Sequence, residues 1–107
     1  MEKSRLETLL ALWSAKPRDS FALYGVAMEY ARLGEREKSL EHFQKLWEKD
    51  PDYEAAYFQA GKLLAGDGRK DEARKVLRSG IEAASRKGNQ HAKNEMEAAL
   101  AELDEVS

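Results

Sequence analysis

The chain has 107 residues, 42% of them hydrophobic and 36% charged, with a formal net charge of −2. That length fits one small domain with a modest core under a heavily solvated surface, and the near balance of charge gives no overall pull towards nucleic acid or acidic membranes. The absence of cysteine excludes disulfides and thiolate metal sites.

The chain begins MEKSRLETLLALWSAKP. Its apolar residues are interrupted by Glu7 and Thr8, and no small-residue cleavage site follows a long apolar core, so it does not read as a signal peptide. No run approaches the ~18 apolar residues of a membrane span. The cytoplasm is the default compartment. A first helix over roughly 2–15 places Leu6, Leu9, Leu10, Leu12 and Trp13 on one face. Pro17 stops it, and Asp19 or Ser20 is placed to cap a second helix, about 20–33, with Leu23, Val26, Ala27 and Tyr30. Gly34 suits the left-handed turn that ends that helix. A third, about 36–49, carries Leu40, Phe43, Leu46 and Trp47 and ends before Pro51. Asp52 is placed to cap a fourth, about 53–65, with Tyr57, Ala60, Gly61 and Leu64, and GDGR at 66–69 makes the next turn. The fifth, about 70–84, carries Ala73, Val76, Leu77 and Ile81. Gly88 breaks it, and Asn89 starts a sixth, about 90–104, with Ala92, Met96, Ala99 and Leu103. No strand pattern competes, and the short connections make neighbouring helices antiparallel.

Two stretches repeat: LWSAKP at 12–17 and LWEKDP at 46–51. They contain both tryptophans and both prolines of the chain, and every matched pair is 34 residues apart. A fixed period of this size marks a repeat architecture. The residues resemble the tetratricopeptide repeat (TPR), whose pattern asks for a large residue, Leu-Gly three and four positions on, then Tyr, Ala, an aromatic and a terminal Pro. Segment 20–53 supplies Leu23, Val26-Ala27, Tyr30, Ser39, Phe43 and Pro51. Segment 54–87 supplies Tyr57, Ala60-Gly61, Leu64, Ala73, Leu77 and Ser85. Ser39 stands in place of the usual Ala, Leu64 of the Tyr and Ser85 of the Pro, the last allowing the fifth helix to run on. The resemblance implies an all-α TPR solenoid of about six antiparallel helices in one domain, 1–107: a leading half repeat at 1–19, repeats at 20–53 and 54–87, and a capping helix at 88–107. The layout is also similar to that of small free-standing bacterial TPR proteins.

The resemblance implies a function too. Such domains bind partners in a concave groove lined by the first helix of each repeat. The matching positions here are Phe21, Tyr24, Met28, Ala31 and Arg32, then Ala55, Phe58, Lys62 and Ala65. Phe21, Tyr24 and Met28 share a stripe separate from Leu23, Val26, Ala27 and Tyr30, and a second apolar stripe on a surface helix marks an interaction site. The competing reading is that helix one or a second copy covers it. Some relatives clamp a C-terminal carboxylate with Lys and Asn; here Tyr24 and Met28 occupy the first repeat's clamp positions, and Lys62 alone cannot replace the missing donors. An apolar peptide or helix carrying a few acidic groups fits better, with Arg32 and Lys62 at the rim.

The remaining motifs read as structure. His91 and Glu95 form an i, i+4 polar pair, too few ligands for zinc, and His42 has no reason to converge on them. GDGR lacks the Walker spacing and the oxygen ligands of a calcium loop. No serine has patterned His and Asp partners, so no catalytic residue, metal or cofactor is expected and the chain does not read as an enzyme. Segment 69–87 holds seven basic against three acidic residues, whereas 95–107 holds five acidic and none basic. Lys70, Arg74 and Arg78 share a face that is either a nucleic-acid stripe or, on the plainer reading, one screened by the acidic helix. The chain therefore reads as a protein-interaction module or small adaptor, with a structural homo-oligomer as the alternative and a nucleic-acid or anion binder behind both.

Overall fold

A computed structural model describes residues 4–105. It contains six helices: α1 (Arg5–Ala15), α2 (Ser20–Arg32), α3 (Arg36–Lys49), α4 (Glu54–Gly66), α5 (Lys70–Lys87) and α6 (Gln90–Glu105). The described residues include no strand, as expected. The first residues of the helix expected from 2, and the last two of the segment expected at 88–107, lie outside the described residues.

Local chemistry sets most boundaries. The Asp19 carboxylate accepts from the Phe21 and Ala22 amides at 3.0 and 3.3 Å, capping α2. Asn89 does the same for α6, accepting from the Ala92 amide at 3.1 Å. Asp52 does not cap α4, which starts after Tyr53 without a side-chain cap. Its carboxylate instead meets the Arg86 guanidinium at 2.7 Å, because a cation is a stronger partner than a neutral amide. The period reaches the backbone as well. Gly34 and Gly68 adopt φ of +79° and +76°. At each, the residue after the glycine donates back to the preceding helix, Glu35 to the Tyr30 carbonyl and Arg69 to the Leu64 carbonyl, both at 2.9 Å. With Ser85 in place of proline, α5 continues to Lys87 before Gly88 ends it.

The helices form two compact units that divide between Asp50 and Pro51. In the first, α2 packs against α1 and α3. Phe43, Leu23, Leu46, Val26 and Ala27 are buried there. Ser39 lies among them, and its hydroxyl donates to the Ala27 carbonyl at 2.8 Å, so a polar atom at a position where Ala is usual is satisfied across the helix pair. His42 is buried rather than idle. Its Nδ1 donates to the Lys38 carbonyl at 2.6 Å, its ring meets the Trp13 ring nearly edge-on at 5.7 Å, and Tyr30 lies 5.0 Å away. One imidazole thus touches side chains from α1 and α2 while belonging to α3. Lys49 donates to the Pro17 carbonyl, tying the end of α3 to the turn after α1.

In the second unit, α5 packs against both α4 and α6 around Tyr57, Ala60, Leu64, Leu77 and Met96. A Cβ on Gly61 would stand 2.6 Å from Cδ2 of Leu77, which is why the smallest residue is found there. Glu54 joins three elements. Lys87 Nζ lies 3.0 Å from its Oε2, and Asn89 Nδ2 donates to its Oε1 at 3.0 Å. Burial alone would raise this carboxyl's pKa, but Lys87, Asn89 and a backbone amide together hold it below the ordinary range. A carboxylate depressed in the fold contributes stability above its unfolded pKa, about 4.3, and loses that contribution as pH falls through the folded value. Urea midpoints should therefore fall as pH drops below about 5, and Glu54→Gln should flatten that fall. An equally steep acid limb in the variant would remove Glu54 from the account.

Candidate functional site

The expected groove residues do not all present themselves in the same way. Phe21 is 76% exposed. It borders a cleft of about 220 Å³ between α1 and α2, together with Leu9, Leu12 and Gly25, so α1 flanks this ring without covering it. Tyr24 is half-buried, its ring tilted by 59° at 6.1 Å from Phe43, and belongs partly to the core. Met28 is half-buried on the same helix. Arg32 is exposed but engaged: Nε and Nη2 donate to the Glu29 carboxylate at 2.8 and 2.5 Å. Glu29 is itself nearly inaccessible, and Arg5 of α1 stands 3.7 Å away. The hydrogen bond from Arg32 lowers the Glu29 pKa more than burial raises it. The positive charge expected at this rim is therefore largely matched within α2.

In the second unit, Phe58 and Lys62 come together. They lie one turn apart on α4, and Lys62 Nζ stands 5.0 Å from the centre of the Phe58 ring, a cation–π contact. Lys62 also borders a cleft of about 610 Å³ whose apolar lining is Leu77, Ala65, Ala99 and Leu103 and whose charged lining is Lys62, Lys70 and Glu102. Sequence reasoning carried groove positions onto α2 and α4 only. It had α6 as a cap, and so missed Ala99 and Glu102. The available signal was that α6 falls one 34-residue period after α4. An apolar floor between two lysines and one carboxylate suits an apolar side chain with an acidic neighbour, provided the acid falls on the lysine side.

The other candidates resolve as structural contacts. His91 and Glu95 are a surface pair at 3.0 Å. Among the described residues, no group of three or more possible ligands is placed to hold a metal ion. Arg74 on the basic face of α5 meets Asp71 at 2.7 Å and Asp104 of α6 at 2.9 Å, so the acidic helix does screen it within the molecule. No described helix is long and apolar enough to cross a membrane.

The family model described as Tetratricopeptide repeat matches residues 30–93. A TPR repeat-containing protein of Pseudomonas aeruginosa is 32% identical over 81 residues, which is 76% of this chain and 77% of that protein. The solution structure of a tetratricopeptide repeat domain protein from Salinibacter ruber superposes with a TM-score of 0.81 at 32% identity, covering 86% of this chain and 93% of that one. The TPR2B domain in the pHsp70 complex of yeast Sti1 superposes with a TM-score of 0.87 over 95% of this chain and 82% of its own, at 16% identity, a likeness of fold. The six helices thus pack antiparallel in the TPR arrangement, one that generally serves protein–protein interaction and is typically non-catalytic.

Proposed function

We propose that this chain, which belongs to the tetratricopeptide repeat family, is a protein-interaction module or small adaptor that holds a peptide or helix of a partner protein against the faces of its repeat-opening helices. The observation that carries this reading is the cleft beside α4 and α6, where Lys62 and Lys70 border an apolar lining. A partner segment with an apolar residue next to an aspartate or glutamate satisfies both features. Phe58 adds an aromatic surface beside Lys62, and Phe21 and Met28 supply apolar surface on α2. The complex of the Sti1 domain with pHsp70 is a precedent for this use of the fold. Within this picture the segments 20–53 and 54–87 serve as the two full repeats, with 88–107 closing the second.

The test is selection of partners from a displayed random-peptide library on the wild-type chain, followed by titration of the selected peptides. They should be enriched in acidic residues beside apolar ones, and their binding should weaken with added salt. Lys62→Glu should reduce affinity severalfold and much of the salt dependence, and Phe58→Ala should reduce it without changing the salt dependence. Peptides that bind Lys62→Glu and Phe58→Ala as they bind wild type would place the site elsewhere.

A further inference from the structure

We propose, on the premise that the cleft beside α4 and α6 is the binding site, that this cleft selects a pair of opposite charges and that Glu102 selects the basic one. Its occupant is a helix of a partner protein in which an acidic and a basic residue stand on either side of an apolar one.

The cleft is built from three helices. Lys62 stands on its α4 wall and Glu102 on its α6 wall, with Leu77 of α5 among the apolar residues of the lining. Opposite charges that border one opening attract, yet these two do not meet: among the described residues, neither belongs to an ion pair. Other charged groups nearby are already matched. Arg74 holds Asp71 at 2.7 Å and Asp104 at 2.9 Å, and Arg69 holds Glu72 at 2.8 Å. The Arg74 guanidinium also donates to the Leu103 carbonyl at 3.3 Å, so the last turn of α6, and Glu102 with it, is fixed against α5. Lys62 is steadied by the Phe58 ring, 5.0 Å from its ammonium. Lys70, at the start of α5, is the third charged group of the lining and adds to the demand for an acid.

Stability does not account for the charge on Glu102. It lies in the last turn of α6, which holds no basic residue and where the helix macrodipole disfavours a carboxylate. Asp104 in the same turn has Arg74 as its partner; Glu102 is exposed and has none among the described residues. A basic group on the ligand supplies one. A helix is the form that delivers both charges at once. Successive residues of a helix are turned by about 100°, so when one apolar side chain points into the cleft its two neighbours in sequence turn towards opposite walls. On an extended strand both neighbours turn away from the cleft together. The acid and the base of the partner then reach Lys62 and Glu102, while the residue between them meets Ala65, Ala99 and Leu103.

The probes are capped alanine- and glutamine-based peptides of about 15 residues, long enough to be helical, with a central Glu-Leu-Lys, Glu-Leu-Gln, Gln-Leu-Lys or Glu-Leu-Glu. Circular dichroism verifies their helicity. Titrated into the isotope-labelled full chain, the first should shift amide resonances of α4 and α6 and bind tightest of the four. Replacing its lysine with glutamine should weaken binding to wild type about threefold to fivefold, the upper range of an exposed ion pair, and should change nothing against Glu102→Gln. Replacing its glutamate should weaken binding to both chains alike, because that group meets Lys62. Glu102→Lys should reverse the choice and take the Glu-Leu-Glu peptide over Glu-Leu-Lys. Both variants should keep the wild-type helical spectrum and urea midpoint; a midpoint that drops would assign Glu102 to the fold and overturn the proposal. If the lysine replacement has the same effect on wild type and on Glu102→Gln while the glutamate replacement still depends on Lys62, the proposal fails with the site intact. If none of the peptides shifts α4 or α6, the site fails and the proposal with it. A wild-type dimer that Glu102→Lys dissociates would also overturn it, since a second copy would then be the occupant.

Discussion

Replacing Phe43 with alanine should lower the unfolding free energy by about 3–5 kcal/mol, the usual cost of truncating a fully buried phenylalanine. The ring is wholly inaccessible. It lies on α3 and meets Tyr24 of α2, in a unit whose remaining large buried apolar side chains are only Leu23, Leu46 and Val26 among the described residues. Little is available to collapse into the space the ring would leave, because Ser39 on the same face is held by its hydrogen bond to the Ala27 carbonyl. The matched control is His91→Ala. Its side chain is 87% exposed and its single ion pair with Glu95 is a surface contact, so the change should stay within about 0.5 kcal/mol. Urea denaturation of both variants ranks them directly. A Phe43 variant no weaker than the His91 variant would mean that the register placing Phe43 between α2 and α3 is wrong.

The elements were legible because their signals are local and periodic. Asp19, Gly34, Pro17 and Asn89 act on the backbone beside them, and Trp13 and Trp47, with Leu12 and Leu46, state the period without reference to anything distant. Partner choice was not legible in the same way. A helical stripe says which side chains share a face, not what stands opposite. Tyr24 shares a stripe with Phe21, yet its ring reaches Phe43 while Phe21 remains in the open. Arg32 was assigned to a rim, but Glu29 is one turn behind it and nearly buried, and a buried carboxylate without a cation is costly enough to claim the nearest one. Asp52 was assigned to a cap for want of any sign that Arg86, 34 residues on, would reach it. His42 had no sequence partner at all, because its neighbours come from two other helices. For the candidate site, Lys62 and Phe58 were within reach of the repeat pattern, whereas Lys70 and Glu102 depend on how α5 and α6 close around α4.

Gly80 reverses the lesson that the period teaches elsewhere. The 34-residue spacing aligns it with Leu46, so pattern alone would favour a larger residue, and helix propensity favours alanine over glycine by roughly 1 kcal/mol. The structure opposes both. A Cβ on Gly80 would stand 2.5 Å from Met96 Sδ and 2.6 Å from Tyr57 Cβ, closer than carbon atoms approach in folded proteins. The sulfur lies within a flexible side chain and has some freedom to move. The Tyr57 Cβ does not, because it is fixed to the α4 backbone, and the Tyr57 hydroxyl is anchored to the Pro51 carbonyl at 2.8 Å. To admit one methyl group, α5 must move off α4, which loosens the contact of Leu77 with Gly61 on the same interface. Overpacking of this kind costs about 1–3 kcal/mol and should outweigh the propensity gain. Gly80→Ala should therefore destabilise the chain, whereas Gly66→Ala, at the exposed end of α4 with nothing near its Cβ position, should leave stability unchanged or raise it by up to about 1 kcal/mol. The same substitution in two helices is thus expected to lower the denaturation midpoint at Gly80 and not at Gly66. A Gly80→Ala chain as stable as Gly66→Ala would show that α5 does not approach Tyr57 and Met96 at this position as closely as the glycine permits.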